Sequence, residues 1–76
     1  EDVLAAAEEE QTLRDALASL GARDRVLLEA LYLSEIPVPY SEIARRLHIA
    51  VGSIPALRER AIWRLTEAII SRRLAG

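Results

Sequence analysis

Apolar residues recur at helical spacing along most of this chain, interrupted at three places by turn chemistry. Leu13, Ala16, Leu17 and Leu20 fall three and four apart, which predicts a helix over about 11–20. Gly21 follows as a candidate stop, because glycine tolerates the left-handed conformation that closes a helix. Val26, Leu27, Ala30, Leu31 and Leu33 make a broad apolar stripe and predict a second helix over about 22–33, with Asp24 in its first turn, where a negative charge suits the helix dipole. The stretch from Ser34 to Pro39 is the clearest break, since Pro37 and Pro39 cannot both sit inside a helix and each pushes its predecessor toward extended backbone.

Beyond the break, Ile43, Ala44 and Leu47 predict a third helix over about 40–47, opened by Tyr40, Ser41 and Glu42, with Ser41 a candidate cap. A tight turn over 48–52 leads to a last helix that starts between Val51 and Pro55 and runs to about Arg73. Ser53 is its natural cap, Pro55 is tolerated just inside it, and Ile54, Leu57, Ala61 and Leu65 form its buried stripe. The fold class expected is all-α: four helices, the last two arranged as a helix-turn-helix without a wing.

The chain has 76 residues, too few for more than one domain, and its thin core makes stability marginal. Residues 1–10 are alanine- and glutamate-rich with only Val3 and Leu4 as larger apolar side chains, and read as an acidic lead-in to a domain over 11–76. An opening without methionine is what a piece of a longer protein would show. No cysteine is present, and no apolar run approaches the roughly 18 residues of a membrane span. All ten basic residues are arginine. The net charge of −2 conceals an asymmetry: residues 1–35 hold nine acids against three arginines, a balance of −6, whereas residues 36–76 hold seven arginines against three acids, a balance of +4. One end is therefore suited to an anionic partner, while overall acidity opposes strong unaided binding to nucleic acid.

The informative stretch is Tyr40 to Leu65. Small Ala44 lets two short helices cross closely, Ile49 plugs the corner of the turn, and the second helix is left free to present its leading end to a major groove. The run PVPYSEIARRLHIAVGSIPALRERAIWRL, from Pro37 to Leu65, resembles region four of bacterial RNA polymerase sigma factors. It is most similar to the extracytoplasmic-function group, whose members carry strings such as PYSEIARRLGIPVGSIGPTRARAL. The upstream run ARDRVLLEALYLSE, Ala22 to Glu35, resembles the helix that precedes that motif, and the likeness covers about Leu13 to Leu65.

The resemblance implies a cytoplasmic domain that binds the −35 element of double-stranded promoter DNA and docks on the β flap of core RNA polymerase, with an anti-sigma protein as a further partner. Nothing in the chain matches region two, so DNA melting is not expected. Carried over residue by residue, Arg45 and Arg46 fall where the family touches phosphates. Val51, Gly52, Ser53, Pro55, Ala56 and Arg60 fall on the groove-facing part of the recognition helix, with Arg58 and Arg64 as further cations. Many family members carry polar side chains where this chain has small or apolar ones. The contacts expected are therefore to phosphates and thymine methyl groups, with Gly52 permitting close backbone approach and few base hydrogen bonds. Five arginines on three to five phosphates would give a log–log salt slope of roughly −3 to −4.5.

His48 stands where the family usually has glycine, and is expected as a turn residue near DNA with positive φ. Trp63 is expected to pack on the second helix, with partner contact as the alternative. Leu28, Tyr32, Trp63, Ile69 and Ile70 are the candidate partner surface, extended by Leu74. A lone histidine without cysteine gives no metal site, and no nucleophile–base pair, glycine-rich phosphate loop or clustered carboxylates point to an enzyme, a cofactor or a small-molecule substrate. Two other readings stay open: a helical module that binds a protein partner with little DNA binding, and the DNA-binding domain of another helix-turn-helix regulator, which would act as a dimer on paired half-sites.

Overall fold

The computed structural model describes residues 2–75. It is all-α, with no strand among the described residues. Helix α1 (Val3–Ser19) is opened by Asp2, whose Oδ1 accepts hydrogen bonds from the backbone N–H groups of Leu4 and Ala5 at 3.0 and 3.4 Å. The lead-in is thus helical from its third residue. Its side chains from Val3 to Glu10 are all exposed, so helix propensity and the cap, not packing, account for it.

Helix α1 closes through Leu20 in extended backbone, and Gly21, also extended at φ −61° and ψ 156°, serves as the N-cap of α2 (Ala22–Leu28). The left-handed stop expected at Gly21 is not what the chain uses. Helix α2 continues into one π turn, Glu29–Leu33, before the proline-rich break. A π turn brings residues four and five apart onto one face, and here Leu28, Tyr32 and Leu33 all line the same groove.

Helix α3 (Tyr40–Leu47) starts at Pro39, whose carbonyl accepts from the N–H groups of Glu42 and Ile43. Ser41 lies inside the first turn and is not the cap. The helix ends at His48 in the left-handed region, φ 56° and ψ 45°. The N–H of Ile49 reaches Ala44 O at 3.0 Å and that of His48 reaches Arg45 O at 3.3 Å, the paired bonds of a Schellman closure. A short 3₁₀ turn, Val51–Ser53, then leads into α4 (Ile54–Ala75), with Pro55 at the second helical position, where a missing N–H leaves nothing unsatisfied.

Helix α4 organises the molecule. Its 22 residues span about 33 Å at 1.5 Å each, most of the domain's 40 Å longest dimension, and it packs against both α1 and α2. Leu17, Leu27, Leu28, Ile43, Ile54, Leu57 and Ala61 form the core. Ile49 and Leu65 pack against its margin. Among the described residues no helix is long and apolar enough to cross a membrane.

Candidate nucleic-acid interface

The leading end of α4 is open to solvent. Val51, Gly52, Ser53, Pro55 and Ala56 are all exposed, while Ile54 between them is fully buried and anchors the segment to the core. Gly52 has an ordinary φ, and nothing lies within 4 Å of where a Cβ would stand. The fold does not demand glycine there, so its small size matters only to what approaches from outside. Farther along, Arg60 is exposed, and no ion pair joins it among the described residues.

Helix α3 contributes a compact charge cluster. Ile43, Ala44 and Leu47 face inward, which turns Glu42, Arg45 and Arg46 outward on one stripe. The Glu42 carboxylate accepts from Arg45 Nε at 2.9 Å and from Arg45 Nη2, and from Arg46 Nε at 3.1 Å. These bonds, that from Arg45 foremost, hold the Glu42 carboxyl down at about 2, and the same carboxylate raises Arg45 above its ordinary value. The stripe thus carries a net charge of +1 from three ionised groups.

Arg58 and Arg64 are placed differently from expectation. Arg58 Nη1 donates to the Tyr40 hydroxyl at 3.0 Å, tying the start of α3 to α4 in a partly buried contact. Arg64 Nη1 donates to Asp24 Oδ2 at 2.9 Å, tying α2 to α4. Both guanidinium groups serve helix–helix contacts, although Arg64 stays 45% exposed; Arg45, Arg46 and Arg60 make no hydrogen bond or ion pair outside their own helices among the described residues. The sequence marks Asp24 only as a first-turn charge and Tyr40 only as a helix opener, because their arginine partners lie 40 and 18 residues away and no local pattern pairs them.

The candidate partner surface also needs revision. Leu28 is 2% exposed and belongs to the core cluster with Leu17, Leu27, Leu57 and Ala61, where α1 and α2 meet α4. Trp63 is 65% exposed and does not pack on α2, since it lies on the face of α4 opposite the buried stripe. Tyr32 is 56% exposed, Ile70 47%, and Ile69 is half-buried. Leu13, Leu17, Tyr32, Leu33, Ile62 and Leu65 wall an almost wholly apolar groove of about 280 Å³ between α1, the π turn and α4, with Leu28 at its base. Among the described residues no cluster of His, Cys, Asp or Glu is placed to hold a metal.

No protein-family model, curated protein or solved structure matches this chain.

Proposed function

We propose that this chain is a sigma region-four-like domain that binds duplex promoter DNA through the leading end of α4 and docks on a transcription protein through its apolar groove. The single observation that carries the reading is the exposure of Val51, Gly52, Ser53, Pro55 and Ala56 at the start of a long helix whose neighbour, α3, turns Arg45 and Arg46 outward. In this reading α3 and α4 act as a helix-turn-helix fixed by the closure at His48. The backbone at Gly52 approaches the duplex, and Val51, Pro55 and Ala56 meet thymine methyl groups. Arg45, Arg46 and Arg60 hold phosphates.

Three arginines in place of five lower the expected salt slope to about −2.7 at most. Anisotropy titrations with short labelled duplexes between about 50 and 200 mM salt test this directly. Binding that weakens with rising salt, and that Arg60→Gln flattens by about 0.9 in slope, supports the reading. A folded domain that binds no duplex at the lowest salt overturns it.

A second reading is favoured by the groove and by Trp63: a helical interaction module with no DNA function. It would prevail if a purified polymerase or anti-sigma fragment bound tightly and every duplex failed.

A further inference from the structure

The observation with the longest reach is the way Glu42 holds Arg45 and Arg46. Both carboxylate oxygens are engaged. Oε2 accepts from Arg45 Nε, and Oε1 accepts from Arg45 Nη2 and Arg46 Nε. One two-donor edge of Arg45, formed by Nε and Nη2 and suited to a carboxylate or a phosphate, is already filled from within the helix. The arginine side chains are 71% and 49% exposed and that of Glu42 is 32% exposed, so the anion sits beneath two outward-facing guanidinium groups.

Helix geometry fixes this arrangement. Residues three and four apart are neighbours on a helix surface, so a glutamate at 42 reaches positions 45 and 46 and no element beyond α3 is needed. Tyr40 and Ser41, nearer the start of the helix, offer no competing charge, and no further ion pair joins either arginine among the described residues.

We propose that Glu42 is an internal phosphate substitute that restrains DNA binding: its carboxylate holds one two-donor edge of Arg45 and the Nε of Arg46, and a DNA phosphate competes with it for those donors. This rests on the DNA-binding reading above and adds a regulatory element to it. The restraint is blind to sequence, because it acts on backbone contacts alone. It lowers affinity for every duplex by the same factor, so only binding that adds groove contacts stays strong.

The test is a double-mutant cycle on the whole 76-residue chain, with mixed-sequence duplex as the probe and circular dichroism to show that each variant is folded. Glu42→Gln keeps the shape and removes the charge. It should tighten duplex binding about two- to fivefold at low salt, the range that an exposed ion pair allows. The salt dependence should also steepen by up to about 0.9 in slope. In an Arg45→Gln/Arg46→Gln background the same substitution should give almost no gain, because no guanidinium group remains to be released.

An equal gain in both backgrounds would overturn the proposal, since it would reduce Glu42 to one negative charge among many. Weaker binding by Glu42→Gln would overturn it as well and make Glu42 a residue that orients the arginines. In both cases the parent chain still binds DNA and the broader reading stands. If neither the parent chain nor Glu42→Gln binds duplex, the DNA reading itself falls and the restraint falls with it.

Discussion

Arg64→Ala separates holding the fold from touching DNA. Arg64 Nη1 lies 2.9 Å from Asp24 Oδ2, with the Asp24 side chain 9% exposed and that of Arg64 45% exposed. Removing the guanidinium group leaves a carboxylate almost entirely out of water with no cation beside it. Breaking a fully buried pair on one side costs about 3–5 kcal/mol, whereas an exposed pair is worth about 0.2–1 kcal/mol. Half of Arg64 is in water, and Asp24 keeps the favourable field at the start of α2, so the expected loss lies between those limits at about 1–2 kcal/mol. For a domain of this size that lowers the melting temperature by roughly 5–15 °C. Thermal melts followed by circular dichroism read the loss, and adding Asp24→Asn to Arg64→Ala should recover part of it by removing the stranded charge. The salt slope of duplex binding should stay at its parent value, because Arg64 serves α2 and not a phosphate. A melting temperature within about 2 °C of the parent, or a slope flattened as by Arg60→Gln, would refute the assignment.

Leu27→Ala, at a fully buried position in the core, should cost about 2–5 kcal/mol in urea unfolding, a large share of what a domain this small possesses. His48→Val should cost about 1–2 kcal/mol, since a β-branched side chain does not tolerate φ 56°, and the same melts would show it. The Glu42 carboxyl, followed by carboxyl-detected NMR, should titrate at about 2 in the parent chain and move toward the ordinary glutamate value in Arg45→Gln. Because folding depresses that value, the contribution of the cluster to stability is complete above the unfolded glutamate range. It fades as pH falls toward about 2, so mild acid leaves the cluster intact.

Helix α3 was legible to the residue because both its ends are written in local chemistry. Pro39 blocks extension upstream, and the left-handed His48 stops it downstream. The start of α1 was not legible from periodicity, since residues 3–10 face no core and carry no apolar stripe; Asp2 and the alanine–glutamate composition were the usable signals. Gly21 misled because its permissiveness is not a requirement. The chain turns there in extended backbone that other residues also adopt. The π turn was hidden by the density of apolar residues from Val26 to Leu33, which mark several faces at once and favour no single period. At the candidate site, charge counting found the arginines but not their partners. Tyr40 and Asp24 claim Arg58 and Arg64 only once α4 is laid across the other helices.

The division of labour among the arginines bears on how such a domain would work. With net charge −2, two arginines committed to helix–helix contacts and two more shared with Glu42, the proposed interface has little electrostatic reach of its own. Non-specific binding of proteins to DNA at physiological salt has a Kd of about 10⁻⁴–10⁻⁶ M even where phosphate contacts are plentiful, and this interface offers few. Useful occupancy would therefore need a second anchor that raises the local concentration of duplex at α4, and the apolar groove between α1, the π turn and α4 supplies a surface suited to one. The groove is lined by residues that make no part of the α3–α4 interface, so the two contacts can form together. Weak DNA affinity then becomes a condition of specificity: the domain would stay off DNA when free and engage it when a protein partner brings the two together.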